Sequence, residues 1–212
     1  MTIPYLAPLS WSVRTGRFRD AAGRFVSFAE VERAMTAAVE AAALDAAAST
    51  AALRSGAISL AEWQTTMQAA VKATHLVNAG IAHGGLQRLD ADALARVQAT
   101  IREEFGFLDR LAREIASGKQ ALDGRLAARS RMYLTAGRMT FATERGEAAR
   151  ALGFDQERNR LSAADHCAGC VAETARGWVP IGALRRIGTR TCLRNCRCYV
   201  EYRNSLTGEI LR

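Results

Sequence analysis

Residues 166–198, HCAGCVAETARGWVPIGALRRIGTRTCLRNCRC, contain all five cysteines of this 212-residue chain. The cysteines follow the spacing C-x2-C-x21-C-x3-C-x-C, so that two close groups flank a loop of about 20 residues. This arrangement is typical of a tetrahedral zinc site, in which a metal ion holds together a segment too small to bury a core of its own. The spacing therefore predicts a small zinc-stabilised module in the last quarter of the chain.

Four thiolates are enough to saturate one zinc ion, and the chain offers five. Cys167 and Cys170 form the first pair, while Cys192 and Cys196 have the spacing to complete the site. Cys198 lies two residues beyond Cys196, on the same face of an extended chain, and can replace Cys192 or Cys196 or pack as a small apolar side chain. A site of four thiolates has no open coordination position, so we expect a structural role.

Other interpretations of the cysteines are free buried thiols, a disulfide or a redox pair. The N-terminus lacks a basic region followed by an apolar stretch, so we expect synthesis in a reducing compartment such as the cytoplasm, where paired cysteines favour metal. A C-x2-C redox pair needs a βαβ setting, which this sequence lacks. His166 is a further metal donor, but its neighbour Cys167 makes ligation by both awkward.

Positive charge is densest in the cysteine-rich tail. The chain has 29 Lys and Arg residues against 21 Asp and Glu residues, and residues 151–212 hold 10 of the former and 6 of the latter. A basic surface can meet nucleic acid, anionic lipid or an acidic protein, or can form a solvated face with salt bridges. Candidate phosphate contacts beside the second cysteine group are Arg185, Arg186, Arg190, Arg194 and Arg197.

The middle of the chain predicts a mainly α fold, an elongated bundle of about four long helices. Capping-box patterns at Ser27 and Ser59 begin the first two helices, of which the first ends near Arg54. A third helix begins at Asp90 or Asp92 and ends before Ser117-Gly118. A fourth is expected over residues 120–152.

Both ends of the chain have a different pattern from the helical middle. Residues 1–26 predict an extended N-terminal arm with two short strands around the turn 20–23. After Gly153, turns and scattered aromatics predict a small zinc-ribbon-like module with short strands, including a hairpin that pairs residues 198–202 with 209–211. We therefore expect an arm over 1–26, a helical bundle over 27–153 and a zinc-binding module over 154–212. Trp178, Val179 and Ile181 are expected to cover the metal.

No catalytic constellation is evident, so we expect a protein that is not an enzyme. His75 and His83 lie eight residues apart, too far to share one metal, and are expected to be ordinary core or surface histidines. Glu103, Glu104 and Asp109 are not paired with a nucleophile. The sequence has no nucleophile elbow, Walker loop or dinucleotide-binding glycine motif, and no apolar run long enough for a membrane span.

The tail resembles the C-terminal module of tailed-bacteriophage minor head proteins, the Mu F-like or head-morphogenesis group. That module has a Cys-x2-Cys pair, a glycine-bearing loop with a proline, and a histidine followed closely by Cys-Arg-Cys. Residues 195–198, NCRC, match the last element, while 178–180 and Gly182 or Gly188 match the loop. Cys192 stands where the family usually has histidine. The stretches FRDAAGRFVS, EEFGFLDRLAREI and RSRMYLTAGRMTF resemble the same group less specifically.

The resemblance implies a structural component of the virion, present in few copies in the head near the portal. Its partners would be portal or capsid proteins, a second copy of itself and packaged DNA, with no small-molecule substrate and no membrane. The alternative is a stand-alone zinc-dependent regulator that binds nucleic acid, with Trp178, Tyr199 and Tyr202 as stacking groups beside the arginines.

Overall fold

The computed structural model describes residues 9–12, 15, 17–162 and 164–211. Its long helices are α1 (Phe28–Arg54), α2 (Leu60–His83), α3 (Ala91–Ala116), α4 (Gly124–Thr135) and α5 (Gly137–Ala151). A short helix, α6 (Ala168–Ala175), lies in the cysteine-rich tail. The fold is mainly helical, as predicted. None of the described helices is long and apolar enough to cross a membrane.

The first two helices begin at the predicted capping boxes. The backbone N–H of Glu30 donates to Ser27 Oγ, and the Glu30 carboxylate accepts from the Ser27 backbone N–H at 2.7 Å. Ser59 and Glu62 repeat both bonds at the start of α2. Each box satisfies amide groups that the first helical turn leaves without partners, which fixes where the helix begins.

The predicted fourth helix is wrong in its extent, because the chain forms two helices there. Asp123 caps α4, which begins at Gly124, four residues later than expected; α4 ends at Thr135 and α5 begins at Gly137. The break lies beside a close approach of α2 to Gly137, where an added Cβ would lie 2.9 Å from Asn78 Nδ2 and 3.0 Å from the Thr74 carbonyl oxygen. On either side of it, α4 packs along α1 and α5 packs along α2.

Two small antiparallel sheets flank the helices. The arm forms β1 (Ser10–Ser12), β2 (Arg17–Arg19) and β3 (Phe25–Val26), and β2 and β3 are the predicted strands around the turn 20–23. The tail forms β4 (Gln156–Arg160), β5 (Val179–Pro180), β6 (Tyr199–Arg203) and β7 (Ile210–Leu211), in the order β5-β4-β6-β7. The predicted C-terminal hairpin is confirmed as β6 and β7, with Tyr202 opposite Leu211.

One hydrophobic cluster joins the arm, the helices and the tail. Trp11 and Phe18 of the arm, Val31 of α1, and Tyr202 and Leu211 of the tail are all buried in it. A second cluster, centred on Trp63 of α2, fills the space among α1 to α4. The first cluster crosses residues 26 and 153, so the tail sheet shares a core with the helices. The three-part division of the chain stays a prediction.

A buried arginine ties the arm to this cluster. The Arg145 guanidinium lies 4.4 Å from the ring centroid of Trp11 and 4.7 Å from that of Phe18, and it donates to the Ala82 carbonyl oxygen at 3.4 Å. Burial lowers the pKa of Arg145 to about 10, which keeps the side chain charged at neutral pH. The rings therefore contribute cation–π stabilisation where the charge has left water.

We expect Gly137→Ala to destabilise the protein by about 1–3 kcal/mol, because the new methyl group meets backbone of α2 that cannot move aside. The matched control is Gly106→Ala in the middle of α3, where nothing lies within 4 Å of the added Cβ. That change should stabilise the protein by about 0.5–1 kcal/mol. Urea unfolding measures both, and a Gly137→Ala variant as stable as wild type would refute the close approach.

Candidate metal centre

The five cysteines come from three separate elements of the tail. Cys167 is the N-cap residue of α6, and Cys170 lies in the first turn of that helix. Cys192 and Cys196 flank a short 3-10 turn at Leu193–Asn195. Cys198 directly precedes β6, which pairs with β4 along its whole length. The fold thus brings together both sequence groups, as the spacing predicts.

Cys170 is the centre of the cluster. Its Sγ lies 3.5 Å from Cys167 Sγ, 3.5 Å from Cys192 Sγ and 3.6 Å from Cys196 Sγ. A zinc ion with Zn–S bonds of about 2.3 Å separates its tetrahedral sulfur ligands by about 3.8 Å. All five cysteines are free thiols, and their sulfur atoms form two groups able to hold a metal ion: Cys167, Cys170 and Cys192, and Cys170, Cys196 and Cys198.

The thiols differ in their protonation. The Cys170 backbone N–H hydrogen bonds to the sulfur of Cys167 and is the main cause that lowers the Cys167 pKa to about 6. Burial raises the pKa of Cys170 and of Cys192. It raises the pKa of Cys198 to about 12. A metal ion must therefore displace protons from the buried thiols, so metal affinity should fall as the pH falls.

Arg190 is part of the interior beside the cluster, contrary to its predicted role as a phosphate contact. It is 1% exposed. Its guanidinium donates to the Arg185 carbonyl oxygen at 2.8 and 2.9 Å, to Asn159 Oδ1 at 2.7 Å, and towards Cys170 Sγ at 3.9 Å. These bonds hold the loop that precedes Cys192 against β4 and α6. Neither Arg190 nor Asn159 carries a sequence pattern that distinguishes it from surface residues.

The other predicted arginines differ from one another. Arg185 is exposed, and its backbone N–H and guanidinium both donate to the buried Glu173 carboxylate at 3.2 Å. Arg186 and Arg197 are exposed, and Arg197 lines a groove with Glu32 of α1. The side chain of Arg194 lies outside the part of the chain that the structure describes. The structure therefore leaves Arg185, Arg186 and Arg197 as accessible cations.

The apolar cover of the cysteines is not the one predicted. Ile187, Ala142 of α5 and Val200 of β6 pack against the sulfur cluster. Trp178 instead lies against two arginines, 4.4 Å from Arg158 and 4.7 Å from Arg203, and Ile181 packs against the shared core. The expectation for Trp178, Val179 and Ile181 failed because β5 pairs at the far edge of the sheet, away from Cys198.

His166 comes closer to the cluster than its sequence position suggests. Its Nδ1 lies 3.7 Å from Cys198 Sγ, and its Nε2 lies 2.8 Å from the Ser162 carbonyl oxygen. Because a carbonyl oxygen only accepts, Nε2 carries the proton and Nδ1 presents a lone pair. Sequence reasoning compared His166 only with its neighbour Cys167, whereas the contact is made with Cys198.

The remaining histidines belong to the helical bundle. His75 Nδ1 lies 2.7 Å from Thr140 Oγ1, and His83 Nε2 lies 2.9 Å from Glu144 Oε2. Arg96 donates to both oxygens of the same buried carboxylate. Burial alone raises the pKa of Glu144, but the bonds from His83 and Arg96 outweigh it and lower that pKa. These contacts join α2, α3 and α5.

No protein-family model, no curated protein and no solved structure matches this chain.

We expect Arg190→Lys to destabilise the protein by on the order of 2 kcal/mol, because one ammonium group cannot reach both the Arg185 carbonyl oxygen and Asn159. The matched control is Arg186→Lys, which keeps the charge at an exposed position and should leave stability unchanged. Thermal unfolding of both variants checks this. If Arg190→Lys is as stable as wild type but binds duplex DNA more weakly, Arg190 acts as a phosphate contact after all.

Proposed function

We propose that the cluster holds a structural Zn²⁺ ion through Cys167, Cys170, Cys192 and Cys196. The observation that carries this proposal is the position of Cys170 Sγ, within 3.6 Å of the other three sulfur atoms. Soft thiolates at these separations suit zinc, and four of them leave no position for a substrate. The ion would supply folding free energy to the tail.

The surroundings of the cysteines explain why the tail needs such an ion. In the described part of the chain, Ile187, Ala142 and Val200 pack on the cluster, and polar groups also hold the loop after β5. The Glu157 carboxylate accepts from the backbone N–H groups of Gly182 and Leu184, both at 2.9 Å. Arg190 holds the next part of the loop. A bound ion would add the strong cross-links that a small apolar core lacks.

We further propose that the chain is a structural component of a bacteriophage virion, a minor head protein near the portal that aids head assembly. The resemblance of residues 166–198 to the C-terminal module of Mu F-like proteins supports this role. A metal that stabilises the fold without an open coordination position is compatible with an assembly protein. Portal or capsid proteins, and packaged DNA beside Arg185, Arg186 and Arg197, would be the partners.

A stand-alone nucleic-acid regulator is a weaker proposal for this structure. Tyr202 is 1% exposed, and Tyr199 lies 5.0 Å from the Phe28 ring, so neither forms the open stacking platform that such a regulator would need. Arg190 is buried as well. The accessible arginines can still contact phosphates without reading base sequence, which suits packaged DNA better than an operator.

The zinc proposal is tested with Cys167→Ser, with Ser162→Ala as a control that changes a nearby side chain outside the cluster. We expect native mass spectrometry to show bound zinc in wild type and in the control, and reduced metal content in Cys167→Ser. Limited proteolysis should then cut residues 154–212 of that variant while α1 to α5 stay resistant. A metal-free wild-type protein with a protease-resistant tail would contradict the proposal.

The virion proposal is tested by mass spectrometry of phage particles produced by the strain that encodes this chain. We expect its peptides in purified particles, in few copies relative to the major capsid protein. If its peptides are absent from the particles and the chain is found only in the soluble fraction of the host cells, the assignment is contradicted. Sequence-selective binding to duplex DNA would then favour the regulator.

A further inference from the structure

The four-thiolate site leaves two metal donors beside it. Cys198 is 5% exposed and its Sγ lies 3.7 Å from His166 Nδ1. The Nε2–H of His166 is held by the Ser162 carbonyl oxygen, which turns the unprotonated nitrogen towards Cys198. Metal-binding histidines are typically oriented in this way, with the second ring nitrogen donating to a carbonyl or a carboxylate.

The sulfur atoms form two sets rather than one. The three ligand atoms of Cys170, Cys196 and Cys198 lie within 4.8 Å of one another, and so do those of Cys167, Cys170 and Cys192. Cys170 belongs to both sets, and its Sγ lies 3.6 Å from Cys196 Sγ. These two residues are 1% and 3% exposed, and the thiol of Cys196 also interacts with that of Cys192, which belongs to the first set.

We propose that the centre is binuclear, with the thiolates of Cys170 and Cys196 bridging two Zn²⁺ ions. This inference rests on the proposed zinc function and adds a second site to it. Two tetrahedral ions need eight coordination positions, which six donors fill when two of them bridge. The first ion would be bound by Cys167, Cys170, Cys192 and Cys196. The second would be bound by Cys170, Cys196, Cys198 and His166.

The charges at the site favour two ions. One Zn²⁺ ion with four thiolates leaves a net charge of about −2, and buried charge without compensation is costly. Two ions with five thiolates and a neutral histidine leave about −1. Arg190, buried and donating towards the sulfur of Cys170 at 3.9 Å, supplies a single positive charge to offset it.

Two measurements on the full-length protein test the proposal. Native mass spectrometry of the Zn²⁺-loaded protein counts the ions bound per chain, and titration with Co²⁺ probes whether neighbouring ions are bridged. We expect two ions per wild-type chain and two in the Ser162→Ala control. Cys198→Ser and, independently, His166→Ala should each reduce the count to one while the tail keeps its protease resistance. Thiolate bridges couple neighbouring Co²⁺ spins, so the paramagnetic resonance signal per cobalt should fall as the second equivalent binds.

Each other outcome is distinguishable. If wild type binds one ion, and Cys198→Ser and His166→Ala also bind one, the second site is overturned and the structural zinc is retained. The contact between Cys198 and His166 would then be an S–H···N hydrogen bond. If both variants still bind two ions, or if the two Co²⁺ ions of wild type show no spin coupling, the second ion lies outside the cluster and the proposal is overturned. Absence of any bound metal would overturn this inference and the zinc function together.

Discussion

The convergence of three thiols on the sulfur of Cys170 is the constraint on which this account of the tail depends. This sulfur lies within 3.6 Å of sulfurs from α6 and from both sides of the 3-10 turn. Thiols that would each remain protonated when buried alone are held at separations that suit a bound metal cation. Without a cation, the same packing places weak hydrogen-bonding groups against each other, and among the described residues the apolar cover is Ile187, Ala142 and Val200.

The cluster also reaches the helices through β6. Cys198 precedes this strand, Val200 packs on the sulfur atoms, and Tyr202 enters the core that contains Trp11 and Val31. A buried ion pair also joins β6 to β4, since Glu201 of β6 pairs with Arg158 of β4 at 2.8 Å. Strand β6 thus packs on both the sulfur cluster and the core that it shares with the helices.

Local signals predicted much of this structure, and tertiary contacts explain what they missed. Helix starts at Ser27 and Ser59, the two hairpins and the clustering of the cysteines all follow from residues close together in sequence. The close approach of α2 to Gly137 does not, because it depends on tertiary packing. The sequence predicts Arg190 as a surface cation, because its partners, Asn159 and the Arg185 carbonyl oxygen, are brought to it only by the folded loop. The contact of His166 with Cys198 likewise exists only in the folded tail.

X-ray absorption at the zinc edge of the purified, metal-loaded protein tests the central claim most directly, because it reports the atoms bound to the ion. The account predicts a first shell dominated by sulfur at about 2.3 Å, with at most a minor nitrogen contribution at about 2.0–2.1 Å. A shell of oxygen and nitrogen alone would contradict it, because the ion would then be bound away from Cys170 and its neighbours.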